Sequence, residues 1–213
     1  MKRPTVPEKK TEYHHNDLRR ALLDAAIVHL RDGEVTGLTM QSLARATGVS
    51  AGAPYHHFED KATLLAALAE EGYAIWNTRA ELVLRGIHDP REALAALGRA
   101  WIRFAENHPS HYRIMFLPDI ADRERFASLH ETSARGIVLL VSLVQQLLPD
   151  AEPQTVLGES IVAWSALHGF ASLRSAGVLT NIPGMPKLPE LESIAVEGLL
   201  SRFATHSPKP KRS

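Results

Sequence analysis

The chain of 213 residues has a formal net charge of zero and contains no cysteine. Its content of 45% hydrophobic and 23% charged residues is typical of a globular protein and excludes a disordered chain. The lack of cysteine excludes disulfide scaffolds, thiolate zinc sites, iron–sulfur clusters and thiol nucleophiles. Residues 1–20 hold no apolar stretch that could act as a secretory signal, and the apolar run at residues 137–148 is too short to span a bilayer. We therefore expect a cytoplasmic protein without membrane contact.

The pattern of prolines and apolar residues predicts an all-α fold. Thirteen prolines separate stretches in which apolar residues recur at the three- and four-residue steps of helices, and no stretch alternates as a strand would. The predicted helices number about nine and cover, approximately, residues 17–31, 39–47, 50–56, 61–85, 90–108, 112–117, 124–148, 154–175 and 189–205. Gly33 is predicted to end the first helix, and residues 181–189 are predicted to form a loop.

Positive charge is unevenly distributed. Residues 1–20 carry six Lys or Arg against three acidic residues, and the last seven residues carry Lys209, Lys211 and Arg212 without an acid. No acidic residue lies between Val35 and Phe58. This distribution favours contact with a phosphate backbone, although basic ends are also typical of solubilising tails.

The segment 37–65 has the layout of a helix-turn-helix. Thr39 is predicted to cap the first helix, although Ser42 is not the Glu or Gln of a capping box. Gly48 suits the left-handed conformation of a tight turn, and Ser50 is predicted to cap the second helix. A helical hairpin used only for packing would show the same spacing.

Residues 17–73 resemble the DNA-binding domain of the tetracycline-repressor (TetR) family of bacterial transcriptional regulators. The matching residues are Leu22, Leu23, Ala26, Gly37, Leu38, Thr39, Leu43, Ala44, Ala46, Gly48, Val49, Ser50, Gly52, Tyr55, His57, Phe58, Lys61, Leu64 and Leu65. Ala53-Pro54 departs from the Thr-Leu that is more common before the tyrosine, and a proline is tolerated in a first helical turn. The resemblance implies a ligand-responsive repressor that binds a near-palindromic operator as a homodimer and is released by a small apolar or amphipathic ligand.

A second resemblance lies in the C-terminal part. Trp164, His168 and Gly169 are similar to the Trp-His-Gly pattern that names one class of TetR C-terminal domains, and residues 108–116 resemble a segment of the same class. We accordingly divide the chain into four segments. They are a flexible basic arm (1–16), a helix-turn-helix DNA-binding domain (17–62), a helical ligand-binding and dimerisation domain (63–206) and a basic tail (207–213).

By this resemblance, residues 50–57 form the recognition helix, which has no Arg, Lys, Asn or Gln for bidentate contacts to bases. The predicted DNA-contacting residues are Thr39, Gln41, Arg45, Ser50, Ala51, Gly52, Ala53, Tyr55, His56 and Lys61. Those expected at phosphates are Thr39, Tyr55, His56 and Lys61. Phe58 is expected to pack inside the domain. The arm at residues 2–16 either follows the minor groove or is a disordered tail.

The resemblance also implies a ligand cavity and a dimer interface in the C-terminal domain. The predicted cavity residues are Trp101, Phe104, Met115, Phe116, Phe126, Ile137, Trp164 and His168, with His130 as a further polar candidate. The alternative role for each of these residues is ordinary core packing. The predicted interface residues are Leu157, Ile161, Leu191, Ala195 and Leu199, on the last two helices. The expected partners are thus double-stranded operator DNA, a second copy of the chain and a small-molecule effector.

The sequence offers little support for an enzyme. Gly158-Glu159-Ser160 lacks the second glycine of a nucleophile elbow, and there is neither a glycine-rich phosphate loop nor a His-Glu-x-x-His zinc motif. The histidine pairs at 14/15, 56/57 and 108/111 have no accompanying carboxylate cluster, so we expect no metal and no cofactor. The alternative function is a helical small-molecule-binding or protein-interaction module without sequence-specific DNA binding.

Overall fold

The computed structural model describes residues 10–32 and 35–203. The α-helices, in chain order, are α1 (Lys10–Asp32), α2 (Met40–Ala46), α3 (Lys61–Leu84), α4 (Pro90–Asn107), α5 (Pro109–Ile114), α6 (Ala127–Leu147), α7 (Pro153–Ser175) and α8 (Leu188–Ser201). Short 3₁₀ helices lie at Val35–Gly37, Ala53–His56, Pro118–Ile120 and Leu179–Asn181. No strand occurs in the described residues, and the predicted all-α class is confirmed.

Two predicted helix starts were wrong. Helix α1 begins at Lys10, inside the segment predicted as a flexible arm. Helix α5 begins at Pro109 rather than near residue 112, because the fixed φ of proline suits the first helical position. Eight of the nine predicted helices are α-helices in the described ranges, and the remaining one, the second element of the helix-turn-helix, is a 3₁₀ helix. The predicted stop at Gly33 lies outside the described residues.

Helix α3 is the central element of the fold. It follows the helix-turn-helix directly and packs against α4, α5 and α6, while α4 also packs against α7 and α8. Fully buried leucines on the first half of α3, such as Leu64, Leu65 and Leu68, join the core that Leu22 and Leu30 of α1 form on the DNA-binding side. Helix α5 contacts both α1 and α3. The DNA-binding and C-terminal parts therefore share one continuous core.

The start of α2 is fixed by a reciprocal cap. The backbone N–H of Ser42 donates to Thr39 Oγ1 at 3.0 Å, and the backbone N–H of Thr39 donates to Ser42 Oγ at 3.0 Å. Thr39 is thus the N-cap, as predicted, but Ser42 completes a capping box that the sequence analysis did not expect. The short serine side chain takes the place of Glu or Gln because its hydroxyl reaches back over the same turn.

The turn after α2 is a Schellman motif centred on Gly48. Gly48 has the left-handed φ of 71°. Its N–H donates to the Arg45 carbonyl oxygen at 3.3 Å, and the N–H of Val49 donates to the Ala44 carbonyl oxygen at 2.9 Å. These two bonds satisfy carbonyl groups that the end of α2 leaves open.

We predict that Gly48→Ala lowers the free energy of unfolding by about 1–2 kcal/mol, the usual cost of a left-handed L-residue. No atom lies within 4 Å of the added Cβ, so the loss comes from the backbone alone. Thermal and denaturant unfolding of the full chain measure it. Gly52→Ala is the matched control, because Gly52 has an ordinary φ of −84° and equal space around it. Equal losses in the two variants would contradict this explanation.

Candidate DNA-binding surface and ligand cavity

The recognition element is shorter than predicted. It is the 3₁₀ helix Ala53–His56, preceded by Gly52 as its N-cap, and Ser50 does not cap it with its side chain. Pro54 explains the difference. An α-helix that began at Ser50 would need a donor at Pro54 and would press the proline ring against the Ser50 carbonyl group. In the 3₁₀ helix, Pro54 occupies the first turn and is buried.

Most of the predicted DNA-contacting residues of the helix-turn-helix are exposed. Tyr55 is 56% exposed and His56 is also exposed, while Phe58 behind them is 2% exposed and packed, as predicted. The exposed members of the predicted set are Thr39, Gln41, Arg45, Ser50, Ala51, Gly52, Tyr55 and His56. Ala53 and Lys61 are half-buried. The surface therefore presents a phenol, an imidazole, an amide and a guanidinium with little bulk around them.

Lys61 has a structural partner within the chain. Its Nζ donates to the Val35 carbonyl oxygen at 2.6 Å, which ties the start of α3 to the segment before α2. The sequence analysis assigned this ammonium group to a phosphate and did not anticipate the internal bond. A phosphate contact by Lys61 would have to share the ammonium group with that carbonyl.

Asp60 links the recognition element to the C-terminal part of the chain. It is the N-cap of α3 and accepts from the Thr63 backbone N–H at 2.8 Å. Its other carboxylate oxygen lies 2.6 Å from a guanidinium nitrogen of Arg125, which belongs to the turn before α6. The Arg125 guanidinium, together with the Thr63 amide, holds the pKa of Asp60 below its usual value.

A cavity of about 310 Å³ lies among α3, α4, α6 and α7. Its wall is mainly aromatic and aliphatic. The lining residues are Tyr73, Trp76, Leu97, Trp101, Phe116, Arg123, His130, Ser133, Ala134, Gly136, Ile137, Leu140, Trp164 and Leu167. Trp76 and Trp101 meet edge to face with ring centroids 4.7 Å apart. A Cβ on Gly136 would lie 3.0 Å from Trp76 Nε1, so glycine at this position lets the indole approach α6.

Half of the predicted ligand residues line this cavity. Trp101, Phe116, Ile137 and Trp164 are in its wall. Phe104 is instead buried against Trp101, at a centroid distance of 5.8 Å. Met115 and Phe126 border smaller clefts elsewhere. The sequence analysis missed Tyr73 and Trp76, because their spacing on α3 is the same as that of ordinary core residues.

His168 belongs to a second cavity, of about 510 Å³, between the end of α1, α5 and α7. Tyr112 Oη lies 2.8 Å from His168 Nδ1 and 3.3 Å from Ser172 Oγ. Burial lowers the pKa of His168, which favours a neutral imidazole at pH 7. Phe116 borders both cavities and packs on His168 with ring centroids 4.3 Å apart.

The predicted interface residues fall into two groups. Leu157 and Ile161 of α7 are 48% and 47% exposed, whereas Leu191 and Leu199 of α8 are 9% and 4% exposed and pack within the chain. Ala195 is half-buried. The exposed apolar face also includes Val162, Trp164 and Ile194. Within the part of the chain that the structure covers, α7 is the one helix long and apolar enough to cross a membrane by length and composition.

The structure brings no metal-ligand cluster together among the described residues: no three His, Asp or Glu side chains there are placed to share an ion. His108 and His111 have ring centroids 6.1 Å apart without a third ligand. The side chains of His14 and His15 lie outside the description.

Comparison with known proteins places these features in a family. Residues 22–68 match the family model "Bacterial regulatory proteins, tetR family", and residues 94–191 match "Tetracyclin repressor-like, C-terminal domain". The transcriptional regulator BetI of Rhizobium meliloti is 33% identical over 164 residues, which cover 75% of this chain and 80% of that protein. The chain belongs to the TetR family. BetI of Cronobacter sakazakii is 26% identical over 52% of this chain, and the match spans 63% of that relative.

Solved structures of other proteins share the fold of this chain. A Rhodococcus protein of unknown function is 30% identical, with a TM-score of 0.71 over 91% of this chain and 98% of its own. AibR, solved with isovaleryl coenzyme A and operator DNA, is 19% identical, with a TM-score of 0.63 over 87% of this chain and 97% of its own. This TetR-family protein is a ligand-responsive, DNA-binding transcriptional regulator, which confirms the predicted function at that level. The Trp-His-Gly subclass stays a prediction.

We predict that Asp60→Asn destabilises the regulator at neutral pH, because Asn still caps α3 but no longer pairs with Arg125. The folded-state pKa of Asp60 is lowered, so its contribution is complete above the unfolded-state pKa of about 3.9 and disappears as the pH falls through the folded-state value. The difference in unfolding free energy between wild type and variant should therefore shrink below about pH 4. Unfolding curves across that range test this.

Asp89→Asn is the matched control for that experiment. Asp89 caps α4 by accepting from the amides of Arg91 and Glu92, at 2.7 and 3.0 Å, and has no arginine partner among the described residues. A pH dependence as large in Asp89→Asn as in Asp60→Asn would show that capping, rather than the Arg125 pair, is responsible.

Proposed function

We propose that this regulator is a repressor that binds a near-palindromic operator as a homodimer and leaves it when a small apolar or amphipathic ligand enters the 310 Å³ cavity. The observation that carries the proposal is that α3 belongs to both sites. It begins at Lys61, directly behind the recognition element, and its second half supplies Tyr73 and Trp76 to the cavity wall. A ligand that alters the packing of these rings therefore acts on the helix that carries the recognition element.

The turn before α6 offers a second connection. Arg123 lines the cavity, and Arg125 holds Asp60 at the N-terminus of α3. A ligand can change the spacing of two recognition elements only by the difference in its affinity for the DNA-bound and DNA-free conformations. Ligand contacts with this turn supply such a difference in affinity, because a shift of the turn would weaken the ion pair between Arg125 and Asp60.

A protein of the same fold supports the presence of a ligand site and a DNA-binding surface in one chain. AibR was solved with isovaleryl coenzyme A and operator DNA in one complex. We infer that this chain likewise binds both a ligand and DNA. We do not infer that its ligand is the same. The cytoplasm is the compartment we infer, since the operator is there, and we infer a regulatory rather than an enzymatic role.

For DNA contact, we infer that the recognition element enters the major groove and that Ala51, Gly52 and Ala53 allow the backbone to approach closely. The proposed contacts to phosphates come from Thr39, Tyr55, His56 and, in part, Lys61, while Gln41 and Arg45 each contact either a phosphate or a base edge. The absence of Arg, Lys, Asn and Gln from residues 50–57 favours shape and apolar contacts over bidentate base contacts.

Titration of labelled duplexes from the region upstream of its own coding sequence tests DNA binding. We predict that Arg45→Gln weakens binding at every sequence and reduces the slope of log affinity against log salt by about one. Arg85→Gln, at the far end of α3, is the matched control and should leave the slope unchanged. Weak binding to all duplexes by the wild type would instead support a ligand-binding or protein-interaction module.

For the dimer, we infer an interface through the exposed apolar face of α7 and α8. Leu157, Ile161 and Ile194 are each about half exposed in the single chain, at 48%, 47% and 52%. Exposed apolar side chains of this size are a liability on a monomer when they form one patch, and such a patch is typical of an interaction surface. Leu191 and Leu199 leave the proposed interface, since they are buried within the chain.

We predict that Ile161→Glu yields a monomer, because association would bury the new carboxylate without a partner. Light scattering should then give a mass near 23.5 kDa, and operator affinity should fall. Val138→Glu is the matched control: Val138 is 65% exposed on α6, outside the proposed interface. A dimeric Ile161→Glu protein would exclude this face.

A further inference from the structure

The cavity is polar at one end and apolar at the other. Its α6 residues lie at positions 130, 133, 134, 137 and 140, which share one face of a helix. His130 and Ser133 come first, near the helix start, and Ile137 and Leu140 follow. The other apolar walls come from α4 and α7. A ligand that matches this order has one polar end and an apolar body.

The polar end holds a buried side-chain nitrogen without a hydrogen-bond partner. Nε2 of His130 is buried and has no hydrogen-bond partner. A buried polar nitrogen without a partner destabilises the protein, so a ligand group that pairs with His130 Nε2 would be favoured.

Positive charge is concentrated at this end. Arg123 lines the cavity and has no ion pair among the residues the structure describes, whereas Arg125 is engaged by Asp60. No Asp or Glu lines the cavity. The first turn of α6 includes His130 and has no side-chain cap, so the positive end of the helix dipole adds to the charge of Arg123.

We propose that the effector is an apolar monocarboxylate whose carboxylate is bound by Arg123 and His130 and whose body lies between the tryptophans; this inference rests on the proposed ligand-released repressor. The aromatic wall alone would also suit a quaternary ammonium ion. A cationic ligand, however, would bring its charge beside Arg123 with no carboxylate to compensate.

The dimensions of the cavity limit the size of the acid. Positions 130 to 140 span about 15 Å along α6 at 1.5 Å per residue. The volume of about 310 Å³ lies at the small end of ligand pockets. A medium-length chain or a single-ring acid fits these limits, and a bulky polycyclic acid does not.

Octanoate, 1-octanol and octyltrimethylammonium are suitable probes, since they share one chain and differ in head-group charge. The chain contains three tryptophans, and all of them (Trp76, Trp101 and Trp164) line the cavity. Intrinsic fluorescence therefore reports occupancy without a label. We expect octanoate to bind about tenfold more tightly than octanol, because charge-assisted hydrogen bonds form only with the acid. Octyltrimethylammonium should bind most weakly.

Two variants test the assigned residues. Arg123→Gln should reduce octanoate affinity about tenfold and leave octanol unchanged. His130→Leu should weaken octanoate and strengthen octanol, since it replaces an unpaired polar nitrogen with an apolar group. Arg135→Gln is the control, because Arg135 is exposed on α6 and does not line the cavity.

Equal affinities for octanoate and octanol, tightest binding of the ammonium probe, or no binding of any probe would overturn the proposal. Failure of the operator experiment with preserved octanoate selectivity would overturn the repressor function but not the carboxylate site. Operator binding that octanoate does not weaken would show that the acid occupies the cavity without acting as effector, and would overturn the effector assignment.

Discussion

The geometry of this regulator depends on the N-terminus of α3. Asp60 caps the helix and pairs with Arg125, while Lys61 binds the Val35 carbonyl group from the adjacent position. Two neighbouring side chains thus fasten the helix-turn-helix, α3 and the turn before α6 to one another. Because α3 contains 24 residues, it extends about 36 Å as a continuous hydrogen-bonded rod. A displacement at its cavity end is therefore carried to its other end rather than absorbed in a loop.

The cavity stays open because rigid aromatic side chains surround it. Protein interiors normally close voids by packing flexible side chains into them. Here Trp101 contacts Trp76, Phe104, Tyr112 and Phe116, mostly through tilted or edge-on rings. Rigid rings in these orientations brace one another and leave space between their faces, which long aliphatic side chains would fill.

The sequence predicted most of the framework because prolines, caps and apolar periods act locally. The all-α class, the long helices and the left-handed Gly48 required no tertiary information. Helix α7 shows the limit of this reasoning. It is apolar on two faces, one buried with Val156, Ala163 and Leu167 and the other exposed with Leu157 and Ile161. The apolar periodicity identifies both faces but does not indicate which one packs against the core of the same chain.

The site residues also divide into those that local sequence identifies and those that only tertiary packing brings together. Exposure of Tyr55 and His56 follows from their place beside a tight turn, and the sequence analysis found them. The contributions of Tyr73, Trp76 and Arg123 to one cavity depend on how α3, α6 and the preceding turn pack together. Pro54 did carry a readable signal: its missing N–H forbids an α-helix that starts at Ser50. A stricter use of that rule would have predicted the short 3₁₀ element.

Trp164 lies both in the cavity wall and at the protein surface. One side of its ring lines the cavity near Phe116, at a centroid distance of 6.3 Å, and the residue is still 41% exposed on the outer face of α7. In a pair of subunits joined through that face, the same indole would be sealed by the neighbouring molecule. Ligand binding in one subunit would then alter the cavity wall of the other subunit. The ligand affinity of the second cavity would therefore depend on whether the first is occupied.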